Sequence, residues 1–181
     1  MMTYSQEVET LLKEGKIPEN LLQLIIKSVE VYNPVVKVPG YNTFDSGVKK
    51  LLHPELLRAD FVGYNFSVDK LRKWVHPEQD GCQHIPGSAL YSIVKKRYIG
   101  NCLSFDMLLA IMRRGRPFYD EYFGENYVLA WKSIFVDNDG LVGVPSLCGS
   151  HDGYREIFSL GVEWLHQKFN SHMPVYYFSE I

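Results

Sequence analysis

The sequence predicts an α+β fold: about seven helices packed on a small, mostly antiparallel sheet, with a central β-hairpin at 127–147. Apolar residues recur at helical spacing along most of residues 1–116. Two apolar runs then flank an Asp-Asn-Asp-Gly step, which is typical of a hairpin turn. The length of 181 residues suits a single globular domain, 1–181, in which 117–181 supplies the hairpin, a helix and a final strand.

Six of the predicted helices lie in the N-terminal half. Pro18 suits the first turn of a helix, because proline has no N–H to lose there. Ser67 and Ser88 are good N-caps, and Gly115 is a typical helix end. Val35–Val38, ahead of a Pro-Gly break, is a short strand candidate. The predicted helices are 3–14, 18–32, 45–58, 68–75, 89–97 and 103–114.

The C-terminal part is expected to supply the sheet. Tyr127–Val136 is apolar at nearly every position, which favours a strand covered on both faces, and Leu141–Leu147 is its hairpin partner. Tyr154–Phe169 has the spacing of an amphipathic helix, the seventh. Val175–Ser179 is a candidate for the last strand.

The overall charge of −2 conceals an uneven distribution of charged residues. Residues 68–116 carry nine basic and four acidic side chains, whereas 117–181 carry three basic and nine acidic. The average composition excludes a histone-like basic protein and an acidic disordered tail. The chain is also rich in aromatic residues, at 14%, with 12 tyrosines, whose polar tips suit a core edge or a contact surface.

Two basic clusters lie at the C-terminal ends of predicted helices, and a third cluster lies at Lys70, Arg72 and Lys73. Cations at helix C-termini are explained by the helix dipole alone. If the clusters converge around Trp74, Tyr91 or Tyr98, they would instead hold an unknown protein or an acidic ligand, with nucleic acid the less favoured partner. The basic residues predicted to do so are Lys95, Lys96, Arg97, Arg113, Arg114 and Arg116.

Several features favour a cytoplasmic location. The N-terminus shows no basic region followed by an apolar run, and every apolar stretch is too short to span a bilayer, so no membrane partner is expected. Three cysteines, an odd and small number, favour a reducing compartment. Walker A, G-x-G-x-x-G, H-E-x-x-H and G-x-S-x-G motifs are missing from the sequence. No cofactor is therefore expected, with zinc as the one alternative.

Cys102 is the candidate nucleophile, because it precedes the predicted helix 103–114. Unpaired N–H groups and the positive end of the helix dipole at such a position favour a thiolate and would stabilise an oxyanion. His151 is the expected general base and His84 the alternative base. Asp137 or Asp139 would orient the imidazole. The competing interpretation is a buried cysteine that packs as a small apolar side chain.

The segment from Arg97 to Cys102, followed by an apolar helix that ends at Gly115, resembles the nucleophile segment of papain-like folds. It is closest to transglutaminase-like proteins and arylamine N-acetyltransferases. The resemblance implies a triad completed by a histidine on a following strand and then an aspartate. The matching strand, Tyr127–Val136, contains no histidine, so no family is assigned on this short segment.

A second candidate site combines two Cys–His pairs. Cys82 and His84 form a C-x-H step, and Cys148 and His151 form a C-x-x-H step. Together they supply the two thiolates and two imidazoles of a tetrahedral zinc site. A histidine that binds zinc is unavailable as a general base, so the zinc site and the catalytic site exclude each other at His151.

The sequence therefore leaves three functions open. The first is a small cysteine-dependent hydrolase or acyl transferase that uses Cys102. The second is a non-catalytic interaction or accessory protein that binds a partner through its aromatic and basic surface. The third is a zinc-stabilised domain.

Overall fold

The computed structural model describes residues 33–38, 48–57, 64–81, 83–151 and 156–179. The fold is mixed α+β, but these residues form three α-helices and eleven strands in four antiparallel sheets. The prediction of about seven helices on a small sheet is therefore wrong. All of the elements belong to one compact unit, Pro34–Ile181. The assignment of the whole chain to a single domain stays a prediction.

Among the described residues, strands and short 3₁₀ turns dominate outside one helical segment. The helices are α1 (Gly87–Arg97), α2 (Phe105–Arg114) and α3 (Arg116–Tyr122). The strands of the first half are β1 (Val35–Val38), β2 (Val48–Leu51), β3 (Tyr64–Ser67), β4 (Leu71–Trp74) and β5 (Ile85–Pro86). Those of the second half are β6 (Val128–Leu129), β7 (Phe135–Asp137), β8 (Val142–His151), β9 (Glu156–Trp164), β10 (Lys168–Phe169) and β11 (Val175–Phe178).

The largest sheet is organised around β8, its longest strand. One edge of β8 pairs with β9 from Gly143–Trp164 to His151–Glu156, and the other edge pairs with β7 and then β6. β2 extends the sheet beyond β7. The three remaining sheets are two-stranded and pair β1 with β3, β4 with β11, and β5 with β10.

The predicted hairpin at 127–147 forms only in part. β7 and β8 are antiparallel and joined by a turn in which Gly140 has φ of 84°, as the Asp-Gly step predicts. The first strand is interrupted, because Trp131–Ser133 form a 3₁₀ turn. That turn buries Trp131 completely and lets Ser133 accept a hydrogen bond from the N-terminus of α2. β6 is covered on both faces, as predicted, since Val128 and Leu129 belong to two different core clusters.

The core consists of these two clusters of buried side chains. In the first, α2 and α3 contribute Leu108, Ile111, Phe118 and Tyr119. In the second, α1 contributes Leu90 and Val94, which pack with Cys102, Trp131 and Phe169. The helices α1 and α2 bury residues spaced three and four apart, which is the pattern that predicts them. Their predicted ranges, 89–97 and 103–114, are confirmed to within two residues.

Three other predicted helices are wrong. In 45–58, the described residues form β2 and a 3₁₀ turn at Pro54–Leu56. In 68–75, a 3₁₀ turn precedes β4, and 154–169 contains β9 and β10 instead of a helix. In each case another strand offers the backbone a hydrogen-bonding partner, which outweighs a weak local preference. The predicted helices 3–14 and 18–32 lie outside the described residues.

Candidate functional site

Cys102 lies in the interior of the protein, in the loop between α1 and α2. Its side chain is fully buried and belongs to the apolar cluster around Leu90, Val94 and Trp131. Its backbone forms an isolated antiparallel bridge with Tyr177 of β11. Burial raises the pKa of the thiol to about 12, and the positive charge of Lys132 offsets this only in part. These surroundings favour a thiol, whereas a nucleophile needs the thiolate.

The N-terminus of α2 does not begin at Cys102. Ser104 is the N-cap, and Cys102 has an extended backbone with ψ of 172°. The first helical N–H, that of Phe105, donates to Ser133 Oγ at 2.9 Å. The N–H of Phe105, which was expected to stabilise a thiolate or an oxyanion, therefore already has a hydrogen-bond partner.

The other predicted catalytic residues are dispersed. His84 is exposed, in the loop before β5. His151 ends β8, and its side chain lies outside the described part of the structure. Asp137 serves the hairpin turn, since its Oδ1 accepts hydrogen bonds from Asp139 N at 2.9 Å and Leu141 N at 2.8 Å. The described geometry gives Cys102 no assembled triad.

The predicted zinc ligands are described only in part. Cys82 and the side chain of His151 lie outside the described residues. Cys148 is half-buried on β8, with its Sγ 3.9 Å from Ser159 Oγ. Among the side chains that the structure describes, no group of three His, Cys, Asp or Glu residues is placed to hold a metal ion. The four-residue zinc set stays a prediction.

The two basic clusters at the ends of predicted helices differ in the contacts that their side chains make. Arg114 donates to the carbonyl oxygen of Val35 at 2.7 Å, and its guanidinium lies 4.3 Å from the centre of the Phe118 ring. Arg116 forms an ion pair with Asp120. By contrast Lys95, Lys96 and Arg97 are exposed at the C-terminal end of α1. Of the two clusters, the one on α1 is better placed to meet a ligand.

Three half-buried aromatic rings form a continuous row beside this end of α1. The ring centres of Trp74 and Tyr98 are 5.1 Å apart, and those of Tyr98 and Tyr177 are 4.6 Å apart. His76 extends the series, with its ring centre 5.6 Å from that of Trp74. We call Trp74, Tyr98 and Tyr177 the aromatic row. The sequence identified Trp74 and Tyr98 as candidates, but the third member, Tyr177, was missed.

The register of β4 and β11 explains how the row forms. Tyr177 lies opposite Arg72, and Val175 lies opposite Trp74, so all four side chains share one face of this small sheet. Val175 is buried in the core, whereas Arg72 is exposed. The bridge between Cys102 and Tyr177 draws the end of α1 alongside β11, which places Tyr98 against Tyr177.

Tyr91, the third aromatic candidate, belongs to a different contact. Its hydroxyl is 2.7 Å from His53 Nε2, and its ring stacks parallel to the ring of Trp131. Burial raises the pKa of the Tyr91 hydroxyl, with a further contribution from the negative charge of Glu55. Tyr91 therefore joins α1 to the loop before the 3₁₀ turn at Pro54–Leu56, and it takes no part in the aromatic row.

In the described part of the chain, no helix has the length and apolar character needed to cross a membrane. A comparison with protein-family models, curated proteins and solved structures found no match to this chain.

Proposed function

We propose that this protein is a non-catalytic interaction protein, which binds an acidic segment of a partner protein through the aromatic row and the basic residues beside it. The observation that carries the proposal is the convergence of three half-buried rings with positive charge from two elements. Arg72 of β4 is exposed on the same face as the row, and α1 ends in Lys95, Lys96 and Arg97 immediately before Tyr98.

The chemistry of this surface suits a protein partner. Tyrosine, tryptophan and arginine are the residues that contribute most to binding energy at protein interfaces, because they bury a large area and still make polar contacts. The rings are already held against one another, so little conformational entropy is lost when a partner covers them. The flanking cations attract an acidic segment and orient it on the row.

The geometry supports this function better than the cysteine-dependent hydrolase that the sequence also left open. A hydrolase of that kind needs a solvent-accessible thiolate near a base. Cys102 is buried, and burial raises its pKa to about 12. The aromatic row, in contrast, is partly exposed and adjoins the basic cluster on α1.

A charge-reversal experiment tests the proposal. Binding of a fluorescein-labelled peptide of alternating glutamate and leucine would be followed by fluorescence anisotropy for wild-type protein, Arg72→Glu and Lys96→Glu. We expect each variant to weaken binding about tenfold, because each replaces an attractive charge with a repulsive one.

Lys168→Glu is the matched control, since it makes the same charge change on β10. Lys168 pairs with Pro86, at the N-terminal end of α1 and so at the opposite end from the basic cluster. Binding by this variant should stay within twofold of wild type. Equal losses in all three variants would contradict the proposal. Binding of a single-stranded oligonucleotide in place of the peptide would contradict the assignment of an acidic protein partner.

A further inference from the structure

A cavity of about 540 Å³ opens on the opposite side of β4 from Arg72. Its volume falls within the range of small-molecule binding sites. Six of its eight lining residues have polar side chains: Lys73, His76, Asp80, Asn126, Ser171 and His172. Because neighbouring residues of a strand point to opposite faces, Lys73 projects away from the face that carries Arg72. Lys73 is thus turned away from the surface of the proposed function, while His76 lies between the two and contacts both Trp74 and the cavity.

A buried glutamine holds together two of the loops that line the cavity. Gln79 is fully buried, and its Nε2 donates to the carbonyl oxygens of Asn170 at 2.7 Å and Met173 at 3.1 Å. Its Oε1 accepts from His76 N at 2.9 Å. This amide fixes the loop that carries His76 against the loop that carries Ser171 and His172. The site is consequently shaped before any ligand arrives.

His172 is held from both sides of its backbone. Its N–H donates to Asn170 Oδ1 at 2.9 Å, and its carbonyl oxygen accepts from Tyr127 N at 2.7 Å. The backbone at His172 is thus held by Asn170 of its own loop and by Tyr127, the residue before β6. The backbone from which this imidazole reaches the cavity is therefore fixed before a ligand binds.

The cavity presents several hydrogen-bond donors. Glu78 N donates to His76 Nδ1 at 3.1 Å, so in the neutral imidazole the proton lies on Nε2, which acts as a donor. The ammonium of Lys73 has three donor hydrogens, and one is directed at Asn126 Oδ1 at 3.0 Å. Ser171 adds a hydroxyl and His172 a second imidazole. An ammonium among imidazole and hydroxyl donors is a set that recognises phosphate.

Asp80 is the one carboxylate among the lining residues. Its Oδ1 accepts from Gly81 N at 2.9 Å, which turns that oxygen towards its own loop. An ionised carboxylate has only acceptor oxygens. It therefore accepts hydrogen bonds from ligand hydroxyl groups and does not bind an anion. The combination favours a ligand with a phosphate at one end and hydroxyl groups at the other.

We propose that this cavity binds a small phosphate monoester of a hydroxylated molecule. Lys73, His76 and His172 hold the phosphate, and Asp80 accepts a hydrogen bond from a ligand hydroxyl. The proposal goes beyond the interaction function, because it concerns the other face of β4 and a different class of ligand.

Calorimetric titration with glycerol 3-phosphate and, separately, with inorganic phosphate tests the proposal. Wild-type protein should bind glycerol 3-phosphate more tightly than inorganic phosphate. Lys73→Gln and His172→Gln should each weaken its binding about tenfold, since each removes a donor to a charged group. His166→Gln is the matched control, because His166 is exposed and does not line the cavity. It should leave binding unchanged.

Two further measurements distinguish a specific binding site from nonspecific electrostatic attraction of anions. Ring signals of His76 and His172 should shift in nuclear magnetic resonance spectra on titration, while those of His166 should not. Asp80→Asn should remove the preference for glycerol 3-phosphate over inorganic phosphate. The proposal is overturned if neither phosphate binds, if the two bind equally well to wild-type protein, or if His166→Gln weakens binding as much as Lys73→Gln does.

Discussion

Cys102 shows how a shift of two residues changes the chemistry of a side chain. The sequence placed this thiol at a helix N-terminus, where it would meet backbone N–H groups. In the structure α2 begins after Ser104, and Cys102 contributes its backbone to the bridge with Tyr177. Apolar spacing locates a helix well, but it does not fix the first residue, because caps from distant residues such as Ser133 decide where the helix begins.

The first prediction concerns the reactivity of this thiol. In native protein, iodoacetamide should alkylate Cys102 far more slowly than Cys148, which is half-buried. Because burial raises its pKa to about 12, Cys102 should show no rise in rate around pH 8 to 9, where an ordinary thiol ionises. Peptide mass spectrometry after timed labelling measures both sites. Labelling of Cys102 as fast as Cys148 would restore the nucleophile hypothesis.

The same pKa shift predicts how stability depends on pH. In the unfolded chain the thiol ionises near its usual pKa of about 8.5, whereas in the folded protein it stays protonated up to about 12. The stabilisation is complete below the unfolded pKa and is lost as the pH rises above it. As the pH rises from about 8.5 to about 12, the free energy of unfolding should decrease. The decrease should be smaller in Cys102→Ala than in wild type.

Gln79 is the residue on which the two cavity loops depend. Gln79→Ala would leave the carbonyl oxygens of Asn170 and Met173 without this donor, and would remove the acceptor of His76 N. Because the site is buried, we expect a loss of roughly 2–3 kcal/mol in the free energy of unfolding. Urea denaturation measures it. Gln83→Ala, at an exposed position nearby, should change stability by less than about 0.5 kcal/mol.

At the scale of elements, β9 shows what a local pattern leaves undetermined. Phe158, Leu160, Val162 and Trp164 alternate with other residues, as a strand requires, while the wider segment 154–169 also fits an amphipathic helix. The choice is made by β8, a ten-residue strand whose register partners run along all of β9. Such pairing is not visible in a local window of sequence. The predicted strands Val35–Val38 and 175–179 were easier, because turn-forming residues flank the first strand and precede the second in the sequence.

Gly149 on β8 tests how closely α3 packs against the large sheet. A Cβ at this position would lie 2.8 Å from Cε1 of Tyr119 and 3.3 Å from Cζ of Arg116. Tyr119 is fully buried, so its ring has little room to move. We expect Gly149→Ala to lower the free energy of unfolding by about 1–3 kcal/mol.

The control for this change is Gly100→Ala. A Cβ at Gly100 would meet nothing within 4 Å, so the substitution adds a methyl group without a clash. Thermal unfolding of the two variants should show a lower midpoint for Gly149→Ala alone. Equal midpoints would mean that α3 and β8 separate easily enough to admit the methyl group.

Across the whole molecule, the sequence predicted part of the proposed binding surface. The basic segment 68–116 does contain Arg72 and the basic end of α1, and two of its aromatic candidates, Trp74 and Tyr98, meet there. Tyr177 comes from the acidic C-terminal part of the chain, and it joins the row through the pairing of β11 with β4. The cavity beside Lys73 was not predicted, since its loops are joined by hydrogen bonds over more than ninety residues of chain.

The bridge between Cys102 and Tyr177 links the accessibility of the thiol to the integrity of the proposed binding surface. If β11 detaches by local unfolding, solvent reaches Cys102 in the same event that removes Tyr177 from the row. The rate of thiol modification in native protein would then measure how often the surface is dismantled. A partner that binds the intact row must suppress that opening, because it stabilises only the closed state. The rate of thiol modification would thus report whether a partner is bound, although the partner does not contact Cys102.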